Sequence, residues 1–279
     1  MPRNSLIGRG GSCRLALALL LAGLAWSLLA SDEQARAEFA LGQERLQAGD
    51  PEAAGGHFEK ANFYADDPVL KANALKAAAA AFVQCRDPIR EASALRELTA
   101  NFPGQADYAA ALQRQYDLAS ADYRQAQRQA GSWFPWHGQA ADRAIAAYES
   151  LLEQAQFADF TPDLRVRLGR LYLQKNRVPE ALQQWRETIR QHPGGPAERH
   201  ARFELANALL QLAANGDGDG AYGREAQEGL RQILELYPDD PDTAWARDHI
   251  RQADTFAAQR LYHLAEFYRH RGNHEAAIR

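Results

Sequence analysis

The histidines are the first residues whose types could do chemistry. The sequence holds eight of them, and His270 and His274 stand four apart, the spacing that lets two imidazoles on one helix face share a metal. Arg271-Gly272-Asn273 lies between them and reads as a turn, so the two need not share a face. His263 and Glu266 lack the following His that a zinc-binding helix requires. Asn215-x-Asp217-x-Asp219-Gly220 resembles the start of a calcium loop. The bidentate acid should fall six residues after the glycine, where Ala226 stands, and the first ligand is Asn, so a flexible polar loop is the better reading. Cys13 lies near the N-terminus and Cys85 on an Ala-rich stretch, which leaves no multi-cysteine zinc site. The sequence offers no Gly-rich phosphate loop, nucleophile elbow or recognisably spaced Ser/His/Asp set. The expectation is therefore a protein without catalytic residues, metal or cofactor.

Residues suited to contact are more prominent. Trp133-Phe134-Pro135-Trp136 concentrates aromatic surface in one short segment. Trp133 and Trp136 read either as side chains packed over helix ends or as anchors for a partner, since Trp dominates interface energetics. The formal charge is −4 with both signs interspersed, which argues against a nucleic-acid groove and its basic stripe.

The elements that position such residues are helical. Ala, Leu, Gln, Glu and Arg dominate, and no run alternates as a strand would. Self-similarity then sets the architecture. Gly169 is followed by Tyr172, Ala181, Trp185, Thr188 and Pro193 at offsets of 3, 12, 16, 19 and 24. Gly169 lets a second helix approach, Ala181 is the small residue facing it, Trp185 lies one turn on, and Pro193 ends the pair. The offsets recur at Gly42, Ala54 and Phe58, with Pro68 late. They recur at Ala79, Phe82, Leu95 and Leu98, with Glu91 in the small slot, and at Ala144, Tyr148 and Leu151. Ala226, Leu230 and Ile233 repeat them again, then Ala265, Tyr268 and Ala277. This spacing resembles the tetratricopeptide repeat. It predicts an all-α, right-handed superhelical solenoid of five complete helix pairs and a partial sixth, the chain stopping inside that last repeat. The first helices should line a concave surface. There Arg170 and Gln174, one turn apart, and Tyr262, Glu266 and Arg269 are the candidate partner-binding residues.

The N-terminus reads as a targeting segment. Arg3, Arg9 and Arg14 precede an apolar run from Leu15 to Ala30, and Ala35-Arg36-Ala37 offers a small-x-small cleavage site. The expected division is 1–37 as signal peptide or uncleaved membrane anchor and 38–279 as the repeat domain.

Ala221-Tyr222-Gly223, Leu236-Tyr237-Pro238 and Leu264-Ala265-Glu266-Phe267-Tyr268-Arg269-His270-Arg271-Gly272 follow one another in the last third. That order is similar to the outer-membrane protein assembly factor BamD and its divergent relatives. The resemblance implies a non-enzymatic scaffold of the β-barrel assembly machinery in the periplasm. Its partners would be other subunits or outer-membrane protein substrates. It also implies a lipid-bearing cysteine after Leu21-Ala22-Gly23, where this sequence has Leu24. The alternatives are another exported repeat adaptor, serving the cell wall or division, and the helical arm of an enzyme whose catalytic domain lies beyond Arg279.

Overall fold

The computed structural model describes residues 31–105, 107–130, 138–215 and 220–278. Among them every regular element is a helix. Residues 31–47 form α1. It is followed by α2 (Pro51–Tyr64), α3 (Pro68–Cys85), α4 (Pro88–Asn101), α5 (Tyr108–Gln129), α6 (Gln139–Gln154), α7 (Thr161–Gln174), α8 (Val178–Gln191), α9 (Pro196–Ala214), α10 (Ala221–Leu236), α11 (Thr243–His270) and α12 (His274–Ile278). These are the five complete pairs and the partial sixth that the offsets predict.

The helix starts have a local cause. Asp50, Asp67 and Asp87 are the N-caps of α2, α3 and α4, each carboxylate accepting from a backbone N–H one turn in, and each is followed by proline at the first helical position. Pro68 thus opens α3, whereas the repeat reading had it closing the pair before. Pro193 and Pro238 do follow helix ends, just beyond the C-caps His192 and Tyr237.

The chain divides into two compact units, residues 1–118 and 119–279. In the first, Ala54, Phe58, Leu75, Ala78, Phe82, Leu95 and Leu98 form the core, with Phe39 and Leu46 of α1 packed against it. Gly42 and Gly55 admit aromatic rings: a Cβ at Gly42 would meet the Phe58 ring at 2.6 Å, and one at Gly55 the Phe82 ring at 2.3 Å. Glu91, in the slot where the repeat calls for a small residue, is buried. Arg114 of α5 answers it with two hydrogen bonds, of 2.6 and 2.9 Å. A carboxylate out of water needs such a partner.

In the second unit the interior is built from Tyr148, Leu151, Leu164, Leu168, Trp185, Leu209, Leu230 and Ile233, all fully buried. The repeat positions Ala144, Ala181 and Ala226 are fully buried with them.

The boundary expected at Ala37 falls inside α1. Ala35 has no exposed surface, and the Asp32 carboxylate accepts from the backbone N–H groups of Asp66 and Asp67 at 2.7 and 3.1 Å. Residues 31–37 form the opening turns of α1. Among the described residues no helix is long and apolar enough to cross a membrane.

Candidate functional site

The first helices of the second unit meet along one wall. Arg170 of α7 is the centre of it. Its guanidinium donates to Glu204 of α9 at 2.7 Å and to the Tyr123 hydroxyl of α5 at 3.3 Å. Burial favours the neutral form of Arg170, but Tyr123 and Glu204 outweigh it and hold the pKa above the ordinary arginine value. A half-buried guanidinium needs acceptors, and the neighbouring helices supply them.

Beside this pair an open cavity of about 400 Å³ is lined by Arg170, Arg199, His200, Phe203, Glu204, Asn207, Asp242 and Trp245. Its floor is aromatic. Phe203 and Trp245 have ring centroids 5.4 Å apart, and Trp245 stacks on His249 at 4.2 Å. The Arg199 guanidinium lies 4.8 Å from the Phe203 ring and is ion-paired with Asp240 and, at 2.8 Å, with Asp242. That arginine holds the Asp240 carboxyl down at about 2. Both arginines are thus matched by acids within the wall, and the cavity presents rings and amide in place of free charge. Phe203 and Asn207 stand four apart on α9, hence on one face. The Asn207 amide, which lines the cavity, carries both a donor and an acceptor.

The residues expected from the sequence are distributed around this cavity. Arg170 lines it. Gln174, one turn further along α7, is exposed and does not. Tyr262, Glu266 and Arg269 lie near the far end of α11. Tyr262 is 64% exposed, and Arg269 is paired with Glu266 at 2.6 Å in an i,i+3 bridge. The structure therefore separates Arg170 from the α11 group. Trp133 and Trp136 lie outside the described residues, as do residues 216–219 of the calcium-like loop. His270 ends α11 and His274 opens α12, with the expected turn between them. Among the described residues no cluster of His, Cys, Asp and Glu is placed to hold a metal.

Phe203, Asn207 and Trp245 were not among the sequence candidates. One signal was available: Glu204 follows Arg170 by 34 residues, the tetratricopeptide period, so both occupy the same repeat position. Trp245 carried no such mark, standing 42 residues after Phe203 instead of 34.

A family model described as YfiO, an outer membrane lipoprotein, matches residues 119–279, the whole of the second unit. The chain belongs to this family. YfiO proteins are the BamD-like group that the Leu236-Tyr237-Pro238 and Leu264–Gly272 segments resemble, so the wall just described lies within the family-defining part of the chain. No curated protein matches the chain. Among solved structures, the TPR-like repeats of a kinesin light chain of Podosopora anserina are 18% identical. The match covers 74% of this chain and 95% of that one, with a TM-score of 0.34. A monomeric mutant of IFIT1, solved with Gppp-AAAA, is 12% identical over 86% of this chain and 52% of that one, with a TM-score of 0.36.

Proposed function

We propose that the chain is a non-enzymatic, protein-binding scaffold of the machinery that assembles β-barrel proteins into the outer membrane, working on the periplasmic side. The observation that carries this reading is the aromatic cavity at Phe203 and Trp245, set inside the segment that matches the YfiO family. Rings flanked by self-neutralised ion pairs suit an uncharged, largely apolar side chain of a partner. The Asn207 amide can pair with the N–H and C=O of an extended main chain. Rigid helices hold these groups before the partner arrives, which lowers the cost of ordering on binding. Other subunits and unfolded outer-membrane proteins both offer such segments.

Depletion of the chain in its own cell tests the reading. The amount of folded β-barrel protein in the outer membrane should fall, and unassembled precursors should accumulate in the periplasm. Unchanged barrel levels after complete depletion would overturn it in favour of an adaptor for another envelope process.

A further inference from the structure

We propose that the cavity between the end of α9, the first turns of α10 and the middle of α11 binds a small amphiphile: an anionic head, carboxylate or phosphate, on a single aliphatic chain. The site stands apart from the Phe203–Trp245 cavity and does not depend on the scaffold reading.

The cavity measures about 490 Å³, within the roughly 300–1,000 Å³ that small-molecule sites occupy. Two helix faces make its walls. Gly220, Gly223, Arg224 and Gln227 follow the i, i+3, i+4, i+7 spacing of one face at the start of α10. Ala253, Phe256, Ala257 and Arg260 repeat that spacing on α11. Two contacts fix how the faces run. A Cβ on Gly220 would stand 2.6 Å from Arg260 Nε, so that guanidinium lies against the N-cap of α10. Seven residues further along α10, Gln227 donates to the Asp254 carboxylate, six residues back on α11. The two faces are therefore antiparallel, and the cavity between them has unlike ends.

One end is basic. Arg260, Arg224 and His263 line it, and none of the described lining residues is acidic. The Phe203–Trp245 cavity differs in this respect, because Glu204 and Asp242 line it beside its arginines. Gly220 is what admits Arg260. Its φ of +75° suits glycine, and its bare Cα leaves room for the guanidinium. Two arginines lining a concave, partly apolar space attract an anion more strongly than they would in open water. The planar guanidinium fork matches the oxygens of a carboxylate or a phosphate.

The other end is apolar. Ala253 and Ala257 stand one turn apart on α11 with Phe256 beside them, and Ala213 and Ala214 line the side formed by the end of α9. Alanine at these positions leaves the space that a larger residue would fill. An aliphatic chain laid along them removes apolar surface from water on the ligand and on the protein together. A head alone or a chain alone would use only half of the cavity.

Titration calorimetry on the full chain tests this with four probes: decanoate, decyl phosphate, decanol and inorganic phosphate. Decanoate or decyl phosphate should bind saturably at one site per chain, and the tighter of the two identifies the head. Decanol and inorganic phosphate should each bind at least about tenfold more weakly, the loss expected for one hydrogen bond to a charged group. Arg260→Gln should weaken the anion by a similar factor. Ala257→Leu, at an exposed position, should do so by filling the apolar end, and circular dichroism verifies that both variants fold. The proposal is overturned if neither anion binds, if decanol binds as tightly as decanoate, or if both folded variants bind like wild type. It is also overturned if binding appears only when Asp217→Asn and Asp219→Asn are introduced together, since the chain's own acids would then serve the basic end.

Discussion

The indole of Trp185 lies directly over Gly169, so close that a Cβ on residue 169 would stand 2.4 Å from Nε1. The same Nε1–H donates to the Val166 carbonyl at 3.2 Å. Gly169→Ala must therefore push the ring aside and strip it of that bond at a position with no exposed surface. Overpacking of this kind costs about 1–3 kcal/mol. Chemical denaturation should show the midpoint falling with an unchanged slope. A wild-type midpoint would mean the ring can move without loss.

Glu91 and Arg114 should respond asymmetrically. Glu91 is 3% exposed and Arg114 46%. Arg114→Ala leaves a carboxylate in the core without its charge partner. A buried pair broken this way loses about 3–5 kcal/mol, and the exposure of Arg114 reduces that to roughly 1–3. Glu91→Ala instead restores the small residue of the repeat and releases an arginine that water can solvate, so its loss should be the smaller. Paired melting curves decide it, and the reverse order would contradict the argument.

Acid should release the Arg199–Asp240 pair at the α10–α11 turn. Asp240 sits at about 2 when folded, below its ordinary value of 3.8, because Arg199 and the Asp242 N–H bind its charged form. A depressed carboxyl adds stability that is fully present above the unfolded value and is lost as pH falls through the folded one. Asp240→Asn should therefore melt below wild type at pH 5–7, with the gap closing between about pH 4 and pH 2. A gap that persists unchanged at pH 2 would assign the loss to packing instead of charge.

Gly229 stands in mid-α10 with nothing within 4 Å of where a Cβ would go. Gly229→Ala should then stabilise the protein by about 0.4–1 kcal/mol, since alanine restricts the unfolded chain and suits a helix. A loss of stability would indicate that the helix needs the bare backbone at that point.

The pairs were legible in the sequence because small residue, aromatic and proline recur at fixed offsets. Ala54, Ala144, Ala181 and Ala226 are each fully buried for that reason. Glu91 broke the pattern, and its partner Arg114 lies 23 residues away on another helix, which no local spacing reveals. The groove was legible only in part. Arg170 could be placed on a wall, yet its capture by Tyr123 and Glu204 depends on three first helices meeting. Phe203 of α9 and Trp245 of α11 meet with the whole of α10 between them in sequence, so their contact belongs to the tertiary fold alone. Ala35-Arg36-Ala37 satisfies a cleavage rule and a helix equally well, and in the structure it lies within α1.

Two surfaces now compete for the partner, and variants can separate them. The cavity of Phe203, Asn207 and Trp245 offers rings and an amide on rigid helices. The α11 end offers exposed Tyr262 and the Arg269–Glu266 pair, an i,i+3 surface bridge of the sort worth at most about 1 kcal/mol. Exposed charge that is already paired gains little from a new partner, whereas aromatic anchors in a concave site carry about 2 kcal/mol or more each. Trp245→Ala with Asn207→Ala should therefore cut binding to the partner subunit at least tenfold, and by the same factor in high salt, because the cavity's charges are already neutralised. Tyr262→Ala with Arg269→Glu should cut it less. Affinities measured by titration calorimetry, with circular dichroism to verify that each variant folds, decide between them. If the α11 pair of substitutions abolishes binding and the cavity pair leaves it intact, the docking surface is the end of α11 and the Phe203–Trp245 cavity is only the seam between repeats.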